Sequence, residues 1–134
     1  MIVVADTSPL NYLIQIDCDH LLPRLYGRIV VPSGVMRELR HVGAPAAVQA
    51  WLAQIPCWID VRATLSSPDA ELAFLGLGER EAIQLADEQH ADLLLIDERK
   101  GRAEAKRRGL RTTRNTGSFA ERGGGGIDRC WDRL

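Results

Sequence analysis

Asp6, Glu38, Glu79 and Asp97 are four acids that a chain alternating between strand and helix can bring together at one edge of its sheet. Clustered carboxylates repel one another, and the repulsion is most simply relieved by a hard cation such as Mg²⁺ or Mn²⁺. Magnesium takes about six oxygens and usually keeps several waters, so four carboxylates can position one or two ions and leave room for phosphate oxygens. In a two-ion site the ions stand roughly 4 Å apart, one activating water for in-line attack and the other stabilising the leaving oxygen. The chemistry these residue types suit is hydrolysis of a phosphate ester. Each acid also has a plain structural reading: Asp6 as a helix cap, Glu79 as a first-turn dipole residue, Glu38 as a surface charge, Asp97 as the start of a turn with Glu98.

The elements that must position them are legible in the apolar pattern. Residues 2–5 form a β-branched run, and Asp6 falls where that strand ends. Thr7-Ser8-Pro9 reads as a helix start with a hydroxyl N-cap and an early proline. Ile29-Val30-Val31 reads as a buried strand closed by Pro32, with Ser33 capping the helix that carries Val35, Glu38 and Leu39. Ala44 to Gln54 has helical composition with Pro45 in its first turn, and Trp58 to Val61 suits a short strand. Ser66-Ser67-Pro68-Asp69 reads as a turn and cap before a short helix ending near Gly76. A further helix begins after Gly78, with Ala82, Ile83, Leu85 and Ala86 as its apolar stripe. Glu79 lies in its first turn, where the helix dipole favours an ionised carboxylate by roughly 0.3–1 kcal/mol. Glu81 competes for the same role, but Glu79 is in register with Ile83 and Ala86 and is preferred. Leu93 to Ile96 is the most apolar run and reads as a central parallel strand ended by Asp97. Gly101 to Arg108 reads as a helix stopped by Gly109, and Leu110 to Thr113 as a last strand.

This alternation predicts an α/β fold, a three-layer α/β/α arrangement around a central, mostly parallel sheet. In such sheets ligands bind outside the carboxyl ends of the strands, which is where Asp6 and Asp97 fall. Glu79 belongs on the same edge because its helix starts there, and Glu38 follows the second strand closely enough to reach it.

Composition bounds the rest. At 134 residues the chain suits one domain, residues 1–122, followed by a Gly-rich linker and short tail over 123–134 that contains Gly123 to Gly126. No apolar run approaches the roughly 18 residues a membrane helix needs, and the opening residues lack the pattern of a signal peptide, so no membrane role and a cytoplasmic location are expected. Cys18, Cys57 and Cys130 are odd in number and far apart, which suggests separate reduced thiols; the histidines show no metal-ligand spacing. Net charge is only −1, yet residues 99–114 hold eight basic residues against Glu104, a local +7 that leaves −8 for the remainder. A basic stretch beside an acidic cluster suits a phosphate backbone held near metal ions, although a solvated helix face would read the same.

Asp6-Thr7-Ser8-Pro9-Leu10, Val31-Pro32 followed by Glu38-Leu39, Leu77-Gly78-Glu79-Arg80-Glu81-Ala82-Ile83, and Leu94-Leu95-Ile96-Asp97 with Lys100-Gly101-Arg102 together resemble a PIN domain, and in particular PIN-like proteins related to VapC-type toxins. The resemblance spans residues 2 to about 119. It implies a Mg²⁺- or Mn²⁺-dependent ribonuclease with Asp6, Glu38, Glu79 and Asp97 as catalytic metal ligands. It further implies a polar residue after the last strand, where Asn115 is preferred to Thr116. Ser8, Lys100, Arg102 and Asn115 are the expected RNA contacts, and a homodimer neutralised by a small antitoxin is the expected assembly, with Trp51 and Trp58 available to an interface or to the core. The tail, with Cys130-Trp131, departs from the family's more regular closing helix.

Two other classes compete. A binding module with weakened chemistry would keep the fold without turnover. A phosphatase using Asp6 as nucleophile generally wants a second acid two residues on, where this chain has Ser8, and a Rossmann reading fails because no GxGxxG follows the first strand.

Overall fold

The computed structural model describes residues 1–41, 43–65 and 70–113. Five strands, Val3–Ala5 (β1), Ile29–Pro32 (β2), Ile59–Arg62 (β3), Leu93–Leu95 (β4) and Thr112–Thr113 (β5), form one sheet in the order β3-β2-β1-β4-β5. All four pairings are parallel, so the expected mostly parallel sheet is wholly parallel among the described residues. Around it lie the helices Thr7–Gln15 (α1), Leu21–Tyr26 (α2), Ser33–Leu39 (α3), Ala46–Ala53 (α4), Leu77–Glu88 (α5) and Arg99–Arg107 (α6), with a 3₁₀ turn at Ala70–Leu72.

Side-chain alternation along the strands builds two cores. Val3, Ala5, Ile29, Val31, Leu93 and Leu95 face a cluster completed by α1 to α4. Val4, Val30, Leu94 and Ile96 face the opposite way, against Ala82, Ile83, Leu85 and Ala86 of α5 and Ala105 of α6. Both faces are covered, which is why the central strands read as unbroken apolar runs rather than alternating ones. Strand order reverses between β1 and β4: the chain winds outward through β2 and β3 on one side of β1, then returns to β4 and β5 on the other. A crevice opens at such a switch point, outside the carboxyl ends of the strands.

Several expectations shift by a residue or two, each for a local reason. Asp6 and Pro32, both with extended backbone, serve as N-caps of α1 and α3, so Thr7 and Ser33 are first helical residues and not hydroxyl caps. Pro45 likewise caps α4 instead of sitting in its first turn. Helix α5 begins at Leu77 and takes in Gly78, while α6 begins at Arg99 because the Glu98 side chain accepts a 2.6 Å hydrogen bond from the Gly101 N–H. Gly109, with φ +82°, ends α6 as expected. Trp51 belongs to the core, and its Nε1 donates to Asp19 Oδ2 at 3.0 Å; Trp58 packs against the same cluster. Cys18 is buried and disulfide-bonded, which corrects the expectation of three separate thiols, whereas Cys57 is free and exposed. The turn at Ser66 to Asp69, Arg114, Asn115, Thr116, Cys130 and the glycine-rich tail with its boundary at residue 122 lie outside the described residues.

Candidate functional site

Asp6 stands at the switch point. Ala5 is paired with Leu95 across the β1–β4 ladder, and the Asp6 N–H donates to the Leu95 carbonyl at 3.0 Å, which carries the two strands side by side to their carboxyl ends. Asp97 follows two residues after Leu95, so both aspartates leave the same edge of adjacent strands. Asp6 is only 1 % exposed, and its Oδ1 is buried without a hydrogen-bond partner. Burial pushes its carboxyl up to about 7; the charges of Glu79, Glu38 and Asp97 add to the shift, and the Thr7 backbone N–H opposes it. The three acids expected beside Asp6 therefore all act on it electrostatically.

Glu38, in the last turn of α3, is held by both oxygens. Oε2 accepts from the Thr7 hydroxyl at 2.9 Å and Oε1 from the Gly78 N–H at 2.5 Å. Thr7 thus orients Glu38 through its side chain, while only its backbone reaches Asp6. Glu79, half-buried in the first turn of α5, has its carboxyl raised first by desolvation and then by the charges of Glu98 and Glu38, and it hydrogen-bonds Glu98. Glu98 moves the opposite way: the N–H of Gly101, then that of Lys100, and the charges of Lys100 and Arg102 hold it below the usual carboxylate range. Glu98 is the member of the group that the sequence reading left in a turn; its signal was its place three residues before Gly101, as the cap of a helix that starts at this edge.

Glu81 has a different task. It is 7 % exposed, its Oε1 accepts from the Gly34 N–H at 3.2 Å, and Arg37 lies 3.3 Å from its Oε2. Together with the Glu38–Gly78 bond this makes a reciprocal clasp, in which α3 and α5 each present an early glycine N–H to a carboxylate of the other helix. Both glycines are required by close approach: a Cβ at Gly78 would fall 2.5 Å from Glu38 Oε1 and 2.7 Å from Thr7 Oγ1, and one at Gly34 would collide with Glu81. The clasp brings Glu38 and Glu79 to the crevice and turns Glu81 away from it.

Among the described residues no three carboxylate, imidazole or thiolate groups are arranged to hold a metal ion. Glu38 is engaged by Thr7 and Gly78, and Glu79 by Glu98. The residues nonetheless fit a hard cation. All donors are carboxylate oxygens, and Asp6 keeps a buried oxygen unsatisfied in the middle of them.

The model of the PIN domain family DUF3368 matches residues 2–117. The chain belongs to the PIN domain family. A PilT N-terminus domain protein from the hyperthermophilic archaeon Sulfolobus solfataricus P2 shares the fold, with a TM-score of 0.64 over 86 % of this chain and 87 % of that one at 22 % identity. No curated protein matches the chain significantly. PIN domains are typically metal-binding nucleases.

The remaining predicted contacts of this PIN domain fall in different places. Lys100 and Arg102 sit in the first turn of α6, beside Glu98, at the crevice edge. Ser8 is exposed on α1, next to Thr7. The basic stretch divides in two: Arg107 holds Glu104 and Glu71, and Arg108 holds Glu104 and Asp87, so the far end of α6 is an ion-pair network rather than an open cationic face. A groove of about 170 Å³ borders the acids on the other side, lined by Thr7, Asn11, Glu38, His41 and the loop to Pro45. Among the described residues no helix of the PIN domain is long and apolar enough to cross a membrane.

Proposed function

We propose that this PIN domain is a Mg²⁺- or Mn²⁺-dependent endoribonuclease that hydrolyses RNA phosphodiester bonds, acting in the cytoplasm as the toxin of a toxin–antitoxin pair. The observation that carries the reading is Asp6: a buried acid with one oxygen unsatisfied, pushed toward neutrality by burial and by three other acids of the crevice. A fold has no packing reason to retain that arrangement, whereas a cation converts it into a ligand set. Asp6, Glu38, Glu79 and Asp97 would hold the ion or ions, which supply Lewis-acid activation of water and neutralise charge on the phosphate. Thr7 and Gly78 orient Glu38, Glu98 positions Glu79, and Lys100 and Arg102 bind flanking phosphates together with Ser8 and Asn115. A homodimer bound by a small antitoxin is the assembly this reading includes.

Cleavage of total RNA by the purified protein with Mn²⁺, blocked by EDTA, is the test. Asp6→Asn and Asp97→Asn should each abolish it and remove Mn²⁺ binding in calorimetry while far-UV circular dichroism is unchanged. Undiminished cleavage by both variants defeats the assignment. A second reading, a PIN-like RNA- or protein-binding module with weak chemistry, is favoured by the engagement of Glu38 and Glu79 within the protein. RNA binding without EDTA-sensitive cleavage would select it.

A further inference from the structure

Arg37, Arg62, Arg107 and Arg108 each hold a carboxylate. Arg80 and Arg102 do not form ion pairs among the described residues; both are half-buried, and the Nε of each is buried without a hydrogen-bond partner. An N–H removed from water with no acceptor costs about 1–3 kcal/mol, so two in one region call for an acceptor that arrives from outside.

The two arginines occupy the same end of one helix pair. Arg108 Nη1 lies 3.3 Å from Asp87 Oδ2, tying the end of α5 to the end of α6. Arg80 is seven residues before Asp87, about two turns back on the same face of α5, and Arg102 is six residues before Arg108. The helices run in the same direction, so both arginines stand near the amino-terminal ends of α5 and α6, on the edge where β4 delivers Asp97. Each adjoins an acid of the crevice: Arg80 follows Glu79, and the Arg102 charge acts on Glu98. Two guanidiniums lacking ion pairs, at the positive ends of two helix dipoles, make a cationic rim beside an acidic centre. A phosphodiester matches that rim, because its anionic oxygens accept charge-assisted bonds from guanidinium N–H groups and are favoured at helix N-termini.

We propose that Arg80 and Arg102 act as a pair that binds a backbone phosphate of the RNA strand next to the bond that is cut. The proposal rests on the ribonuclease reading above, and its test separates the two. Binding of a short fluorescent single-stranded RNA is followed by anisotropy in EDTA over a range of salt, for the parent, Arg80→Met, Arg102→Met and the double variant, with calorimetric titration of pyrophosphate alongside. Methionine keeps an apolar stem and removes the charge. The double substitution should flatten the slope of log K against log salt by about 0.7, the value for one phosphate of a single strand, and each single substitution by part of that. Lysine at either position should restore the slope, which a purely packing role would not predict. In Mn²⁺-supported cleavage the single variants should raise KM several-fold with kcat little changed. Slopes and pyrophosphate affinities equal to the parent's in both methionine variants overturn the proposal. Pyrophosphate binding that the variants lose, in a parent that binds and cleaves no RNA, keeps the anion pair and removes the ribonuclease reading; a parent that binds neither removes both.

Discussion

Replacing Asp6 by asparagine should stabilise the metal-free protein at pH 8. In the folded protein burial and the neighbouring acids raise the Asp6 carboxyl from 3.8 to about 7. Below pH 3.8 both folded and unfolded chains keep the proton and Asp6 imposes no ionisation cost. Between 3.8 and about 7 the unfolded chain ionises while the folded one resists, so stability falls as pH rises, and above about 7 the full cost applies. A rise of about three units, at 1.36 kcal/mol each, is on the order of 4 kcal/mol before the crevice relaxes. Asparagine cannot ionise, caps a helix as well as aspartate, and should remove most of that cost. Urea melts in EDTA at intervals from pH 4 to pH 8 measure it: the variant should match the parent near pH 4 and exceed it by an amount that grows to pH 8. A variant less stable than the parent at pH 8, or a gap independent of pH, refutes the account of Asp6 as an uncompensated buried charge. Saturating Mn²⁺ should then close most of the gap, because a ligand at about 100 times its Kd adds about 2.7 kcal/mol to the protein that binds it and little to the variant that does not.

Three further outcomes follow from the α3–α5 clasp. Gly78→Ala places a methyl 2.5 Å from Glu38 Oε1, so it should cost about 1–3 kcal/mol in a urea melt and weaken Mn²⁺ affinity in calorimetry by displacing Glu38. Gly34→Ala should cost at least as much, because Glu81 must vacate its place against the helix, yet it should affect Mn²⁺ affinity less than Gly78→Ala. Glu81→Ala leaves the Gly34 N–H without its acceptor and should destabilise the fold by about 1–3 kcal/mol, whereas Glu79→Ala should leave the metal-free protein as stable or more so and abolish Mn²⁺ binding. Equal destabilisation by the two glutamate variants would show that Glu79 is structural too.

The parts of the site legible in the sequence were those carried by local pattern. Asp6 and Asp97 end apolar runs that can only be buried strands, and Glu79 opens a helix whose apolar stripe leads back to the sheet. The caps were misplaced because Asp6 and Pro32 each end a strand turn and begin a helix in one extended residue, leaving no room for Thr7 or Ser33 to cap. The basic stretch read as one cationic face because its partners Glu71 and Asp87 are remote in sequence and invisible to a local count.

By itself the sequence determined the layers and the edge: apolar periodicity sets strand and helix, and alternation of the two sets a parallel sheet with its ligands at the carboxyl ends. Register along the helix already preferred Glu79 to Glu81, but what holds Glu81 was decided only in three dimensions. Glu79 and Glu81 differ by two positions on one helix, and what separates them is that Gly34 and Gly78 let α3 approach α5 closely enough for Glu81 to be taken by a backbone N–H and Arg37. Likewise nothing in the neighbourhood of Arg80 marks it as different from Arg107. The fold gives one a set of carboxylates and leaves the other's Nε without an acceptor, because ion pairing depends on which helix ends meet, not on which residues adjoin along the chain.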